Sequence, residues 1–277
     1  MNITDINGTV RLANGVQMPY LGLGVYKTND GKDVINAVTY ALDAGYRHID
    51  TAAAYYNENG VGTAIHQYSI DRSKIFITTK VWNSDQGYDS TIKAFHQSLD
   101  KLQTDYVDLY LQHWPVKGKY KETWRAMETL YQEGKIKAIG VCNFLQFQLE
   151  DLMGSANILP MVNQVEFHPY LVQQSLIDFC EFNHIQFESW FPLMHGEAVK
   201  IPFFIKMAGK YQRTIAQLLL RWNLQKGAVI IPKSINRNRI EENARLFDFI
   251  ITNKDVAALD ALDRNFRMGP DPANFNF

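Results

Sequence analysis

The chain is predicted to be an α/β protein, a parallel (β/α)8 TIM barrel with an N-terminal β-hairpin plug, and three observations predict it. Eight short apolar runs recur, at residues 20–24, 46–50, 75–79, 107–112, 137–141, 161–165, 185–189 and 228–231. Stretches of helical period lie between them, and strand-helix repeats of about 25–30 residues imply parallel strands joined by crossovers. The length of 277 residues covers the roughly 250 that such a barrel needs, and no linker rich in Pro, Gly or Ser divides the series. Residues 1–277 are therefore read as one domain.

The elements follow in order. Thr9-Val10-Arg11-Leu12 and Val16-Gln17-Met18-Pro19 flank Ala13-Asn14-Gly15, a hairpin signal, and the pair is placed across the bottom of the barrel. Gly22-Leu23-Gly24 invites a Rossmann reading, but no third glycine follows at the required spacing and no acidic partner fits. In 88–102 the residues Ile92, Phe95, Leu99 and Leu102 step by three and four, as do Trp124, Met127, Leu130 and Tyr131 in 119–134. Each set marks one buried helix face. Thr214 with Gln217 opens the run Ile215 to Trp222 as a capping box. The long gap at 190–227 is expected to hold a loop that closes over something.

Composition narrows the function. A formal net charge of -1 offers no basic face for nucleic acid. The start, Met1 to Asp5, has no basic region or apolar run, and no apolar stretch approaches membrane-spanning length, so a cytoplasmic protein without a membrane partner is expected. Cys142 and Cys180 are too few for a disulfide framework and are read as thiols. No metal ligands are assigned.

Three strand ends carry the chemistry. Tyr46 to Asp50 stops at an acid followed by small residues that make a turn, and Tyr55 lies just beyond, before Glu58 at a helix start. The run from Ile75 finishes in Lys80, and the run from Val107 finishes in His113-Trp114-Pro115, where proline forbids further pairing. The carboxyl ends of parallel barrel strands share one face, so Asp50, Tyr55, Lys80 and His113 are expected to converge.

Gly45-Tyr46-Arg47-His48-Ile49-Asp50-Thr51-Ala52, with Tyr55, Lys80 and Leu111-Gln112-His113-Trp114-Pro115, resembles the aldo-keto reductase superfamily. The likeness is to its small bacterial members of the prostaglandin F synthase and diketogluconate reductase type. It runs from the first barrel strand to Ile231-Pro232-Lys233-Ser234 and the helix after it. The resemblance implies NADPH as cofactor and carbonyl reduction as the reaction, on a small-molecule substrate, in a monomer. Tyr55 is then the proton donor, with Lys80 lowering its pKa, Asp50 keeping Lys80 charged and His113 polarising the carbonyl oxygen.

By the same resemblance Asn143 and Gln164 bond the nicotinamide carboxamide, Trp190 stacks on its ring, and Pro192, Leu193 and Gly196 run along the pyrophosphate. Lys233, Ser234 and Arg239 hold the 2′-phosphate, at a helix start that suits an anion, while Glu242 and Asn243 take the adenine edge. Cys142 and Phe191 stand where the family usually has serine, and His195 where bacterial relatives often have glutamine. Tyr26, Trp82, Trp114 and Phe191 supply aromatic substrate walls. The tail after Asp263, with Gly269-Pro270-Asp271-Pro272, reads as too short for a deep lid, so an open site is expected. Two other readings compete: a class I aldolase using Lys80 as Schiff-base former, and a non-catalytic barrel that binds NADPH and reports redox state.

Overall fold

The computed structural model describes residues 3–277. Met1 and Asn2, which belong to the start read above for targeting signals, lie outside them. Strands β1 (Thr9–Arg11) and β2 (Gln17–Pro19) form the expected antiparallel hairpin, with Gly15 taking the left-handed φ of 92° that its turn requires. Asn14 at the tip donates to the carbonyl of Lys137, near the start of a barrel strand, so the hairpin covers the amino-terminal end of the barrel.

Eight parallel strands follow: β3 (Leu23–Gly24), β4 (His48–Asp50), β5 (Phe76–Val81), β6 (Val107–Gln112), β7 (Ile136–Cys142), β8 (Val162–Glu166), β9 (Gln186–Trp190) and β10 (Val229–Ile230). Each pairs with its sequence neighbour. Every expected run contributes one strand. All residues of β4, β5, β6 and β8 are buried, as strands covered on both faces demand. The ring closes where Leu21 bridges Ile230 and Gly24 bridges Lys233. Along this seam the Gly22 N–H donates to the Ile230 carbonyl at 2.8 Å. A Cβ on Gly24 would lie 2.8 Å from the Ile231 carbonyl oxygen, so the seam needs glycine there.

The helices are α1 (Lys32–Asp43), α2 (Glu58–Gln67), α3 (Tyr88–Leu102), α4 (Tyr120–Gln132), α5 (Gln146–Met153), α6 (Gln174–Phe182), α7 (Pro202–Tyr211), α8 (Ile215–Gln225), α9 (Arg237–Asn243) and α10 (Asn253–Asp260). Helix α3 buries Phe95, Leu99 and Leu102, and α4 buries Trp124, Met127 and Leu130, the faces that the spacing marks. The Thr214–Gln217 box is formed reciprocally, Gln217 N–H on Thr214 Oγ1 at 3.2 Å and Thr214 N–H on Gln217 Oε1 at 3.1 Å.

The gap at 190–227 differs from the expected loop. A 3-10 segment, Met194–Lys200, and helices α7 and α8 fill most of it. Pro202 begins α7, where its missing N–H is harmless and its fixed φ suits a first turn. Positive φ is concentrated at its beginning, at Phe191, Met194, His195 and Gly196, and recurs at Gln212 between α7 and α8 and at Gly227.

Candidate active site

The barrel register brings the four strand-end groups together. Asp50 ends β4, Lys80 lies near the end of β5, His113 follows β6, and Tyr55 ends a 3-10 turn, Ala53–Tyr55, that leaves β4. Lys80 Nζ donates to Asp50 Oδ1 at 2.7 Å, to Asp50 Oδ2 at 2.8 Å and to the Thr51 carbonyl at 2.9 Å. All three ammonium hydrogens are thereby used. The same Nζ lies 5.1 Å from the Tyr55 ring centroid. The His113 ring meets Tyr55 edge-on at 5.7 Å and Trp82 edge-on at 5.1 Å, and Tyr26 leans on Tyr55 at 5.0 Å.

Burial governs the electrostatics of this cluster. Desolvation is the largest influence on Lys80 and opposes its charge, but Asp50 together with Tyr55 and Cys142 outweighs it and raises the ammonium pKa. For Asp50 burial raises the carboxyl while Lys80 and Gln164 pull it down. Its two oxygens accept three N–H bonds, an arrangement that suits the carboxylate. Burial holds His113 well below the ordinary imidazole value, with repulsion from Lys80 in the same sense, so the ring is neutral and carries one N–H. Tyr55 departs from expectation. Lys80 does act to lower its pKa, yet desolvation wins and the phenol is raised above its free value.

Gln164 ties this group to the next strands. Its Nε2 donates to Asp50 Oδ2 at 2.8 Å and to Glu188 Oε2 at 2.9 Å, and its Oε1 faces Cys142 Sγ at 3.6 Å. Cys142 is a buried thiol whose pKa burial raises. Asn143 donates to the His113 carbonyl at 3.0 Å and accepts the Trp190 indole N–H at 2.9 Å. Phe191 packs against Trp190 and His195, away from Tyr26, Trp82 and Trp114. Pro192 is buried, Leu193 partly so, and Gly196 is exposed.

Across the barrel end, Asn236 caps α9 by accepting the Arg239 N–H at 3.1 Å, and Ser234 Oγ accepts the Asn236 N–H at 3.1 Å. Lys233 and Arg239 are exposed. Glu242 accepts the Thr214 hydroxyl at 2.8 Å, and Asn243 is buried.

The tail departs most from its reading, for it crosses the mouth of the barrel. Buried Glu166, at the end of β8, accepts the N–H of Met268 at 2.5 Å and of Gly269 at 3.2 Å. Gly269 comes so close to Trp190 that a Cβ would lie 2.6 Å from the indole. Gln148 donates to the Pro272 carbonyl at 3.0 Å, and Asn83 to the Phe277 carbonyl at 2.9 Å. So anchored, Phe277 stacks on Trp82 at 6.0 Å and meets Trp114 edge-on at 5.1 Å, with Phe275 against Trp114 at 5.1 Å. Sequence reasoning missed Glu188, Glu166, Asn83, Phe275 and Phe277. The alternating Phe275-Asn276-Phe277 is the one signal that pointed to an end packed on other aromatics, although Phe277 itself stays half exposed.

A closed parallel barrel with a phenol, an imidazole and a saturated ammonium-carboxylate pair at its carboxyl end has the groups that proton transfer to a carbonyl oxygen needs. Residues 8–264 match the aldo/keto reductase family, and the chain belongs to it. Among similar proteins, "Uncharacterized oxidoreductase YtbE" of Bacillus subtilis is 53% identical, with 99% of each chain covered. "Glyoxal reductase" of the same organism is 52% identical, again with 99% of each covered. A crystal structure of a Gox0644 mutant in complex with NADPH has a TM-score of 0.93 and 41% identity, covering 97% of this chain and 98% of that one. This chain is an oxidoreductase that reduces carbonyl groups with NADPH.

Proposed function

We propose that the chain reduces small aldehydes and dicarbonyls to alcohols with Tyr55 as proton donor. The observation that carries this reading is the Lys80 ammonium, satisfied by Asp50 and Thr51 while its Nζ lies 5.1 Å from the Tyr55 ring centroid. An amine with every N–H bonded and its pKa raised has no free lone pair, which argues against Schiff-base chemistry.

When bound, NADPH supplies the hydride. The Tyr55 phenol gives its proton to the carbonyl oxygen as that oxygen takes on alkoxide character. Its raised pKa keeps the donor loaded at neutral pH, and the Lys80 charge stabilises the phenolate left behind. Neutral His113 donates to the same oxygen and orients it.

Several groups are left free for the cofactor. Among the described residues the Leu193 N–H has no backbone acceptor. Among the described residues Arg239 has no ion-pair partner, whereas neighbouring Arg237 pairs with Glu241 and Asp43. These donors fit an anionic dinucleotide. We assign Asn143 and Gln164 to the carboxamide, Trp190 to the nicotinamide face and Cys142 to its floor. Pro192, Leu193 and Gly196 take the pyrophosphate, Lys233, Ser234 and Arg239 the 2′-phosphate, and Glu242 and Asn243 the adenine. Phe191 offers no side-chain donor, so the pyrophosphate relies on backbone N–H groups.

Tyr26, Trp82 and Trp114 line the substrate side, and Phe275 with Phe277 narrows it, which together with the name of the glyoxal reductase relative favours short substrates. Among the described residues no helix is long and apolar enough to cross a membrane. Both cysteines are free thiols, as a reducing compartment keeps them, which supports a cytoplasmic location, and we take the chain to act as a monomer. The test is a panel of carbonyl compounds followed by loss of NADPH absorbance. Tyr55→Phe should keep cofactor binding and lose about 100-fold or more in kcat. Full turnover by that variant would end the mechanism.

A further inference from the structure

Glu188 sits in the middle of β9, wholly buried, and no step above uses it. Gln164 divides the two hydrogens of its amide between Asp50 and Glu188, at 2.8 and 2.9 Å. The Asp50 carboxylate can only accept, so the amino end of Gln164 faces it.

The surroundings fall one charge short. Glu188 shares the barrel interior with Asp50 and His48 of β4, Lys80 of β5, Cys142 of β7 and Gln164 of β8; its neighbours in register on β10 and β8 are Val229 and Gln164. His48, with Nε2 on Thr78 Oγ1 at 3.0 Å, is kept neutral by burial, which lowers its pKa to about 3. Cys142 is a thiol. Lys80 is thus the single cation facing two carboxyl groups, and ionising both would leave a net negative charge in a dry interior. One proton removes it. Asp50 holds its charge better, because its oxygens take three N–H bonds, two of them from the Lys80 ammonium, and a proton there would break that pairing. Glu188 Oε1 has no hydrogen-bond partner, and His48 Nε2 stands 3.9 Å away.

We propose that Glu188 is a positioning residue held as the neutral acid, whose proton balances the charge around Asp50 and Lys80, and whose ionisation in alkali slows carbonyl reduction by opposing the negative charge that forms on Tyr55. The proposal rests on the reading of Tyr55 as proton donor. Burial pushes the Glu188 carboxyl up to about 8, with repulsion from Asp50 in the same sense and Gln164 and Lys80 opposing. Below that pH the group is uncharged and indifferent to the reaction. Above it, a second carboxylate disfavours phenolate formation, so the rate falls as pH rises. Tyr55, Lys80 and Cys142 all have raised pKa values, and His48 and His113 lowered ones. Burial raises both carboxyl groups, but Asp50 takes three N–H bonds from Lys80 and Gln164 whereas Glu188 takes one, from Gln164, so Glu188 is the group of this cluster assigned to titrate in mild alkali.

The experiment compares kcat at saturating NADPH and carbonyl substrate across about pH 6–10 in the native enzyme and in Glu188→Gln, which keeps shape and neutrality but cannot ionise. Native kcat should fall about 3- to 10-fold between about pH 7 and pH 9.5, and the variant less than about twofold. Infrared difference spectra supply a readout free of activity: native protein taken from about pH 7 to pH 10 should lose a carboxylic-acid C=O band that Glu188→Gln never shows. An alkaline limb that survives in Glu188→Gln overturns the proposal, and so does native protein without that band at neutral pH. A native enzyme inert toward every carbonyl compound would count against the Tyr55 reading instead, and the infrared arm would still decide the state of Glu188.

Discussion

Lys80→Met should destabilise the fold as well as stop turnover, and the two losses have one cause. Lys80 and Asp50 are fully enclosed, with the ammonium 2.7 and 2.8 Å from the carboxylate oxygens. Methionine refills most of the space, so cavity formation is a minor part of the effect. What remains is a buried carboxylate bonded only by Gln164. Removing one partner of a buried ion pair costs about 3–5 kcal/mol. For 277 residues, an unfolding entropy of about 2.1 cal/mol/K per residue amounts to about 0.6 kcal/mol/K, so the melting midpoint should drop about 5–9 °C. Adding Asp50→Asn removes the stranded charge, and the double variant should recover more than half of that drop although it stays inactive. Thermal unfolding by circular dichroism at neutral pH, without cofactor, measures both. A single variant that melts within about 2 °C of the native protein, or a double variant no more stable than the single, would refute the reasoning.

Two further outcomes are expected. Native enzyme should prefer NADPH to NADH by at least about tenfold in kcat/KM, and Arg239→Ala should bring the two near parity, since a charge-assisted hydrogen bond to phosphate is worth about 1.5–3 kcal/mol; equal use of both cofactors by the native enzyme would remove Lys233 and Arg239 from the assignment. Phe277→Ala opens the aromatic cover over Trp82 and Trp114, so kcat/KM for bulky aryl ketones relative to short aldehydes should rise by about tenfold, and an unchanged substrate ranking would show that the tail does not read size.

The barrel was legible because its signals are local. Proline after Trp114, small residues after Asp50 and the three-four spacing in α3 and α4 each act within a few positions. The convergence of the four strand-end groups followed, since parallel strands put their carboxyl ends on one face. Glu188 was not legible: in Phe187-Glu188-Ser189 it looks like any polar residue of a strand, and only Gln164 and Asp50, brought in by the closed sheet, give it meaning. The tail is obscure for a similar reason. Its course depends on Glu166, 102 and 103 positions before the two amides it binds. For Tyr55 the neighbours revealed the direction of the Lys80 effect but not the burial that overrides it. Helix α7 was passed over even though Pro202 marks its first turn.

The seam between β3 and β10 also bears on how the chain is made. Leu21 and Gly24 wait for Ile230 and Lys233, while β4 to β9 can add to the growing sheet one after another. At about 5–20 residues per second, the first strand spends roughly 10–40 s of synthesis with one edge bare. Asp50, Tyr55, Lys80 and His113 are all made in the first half of that interval, long before the ring that serves them can shut. A nascent or prematurely terminated chain ending before Val229 would hold all four of these groups on a sheet with two raw edges, and would be drawn to other strands in the cell before it ever met a carbonyl compound.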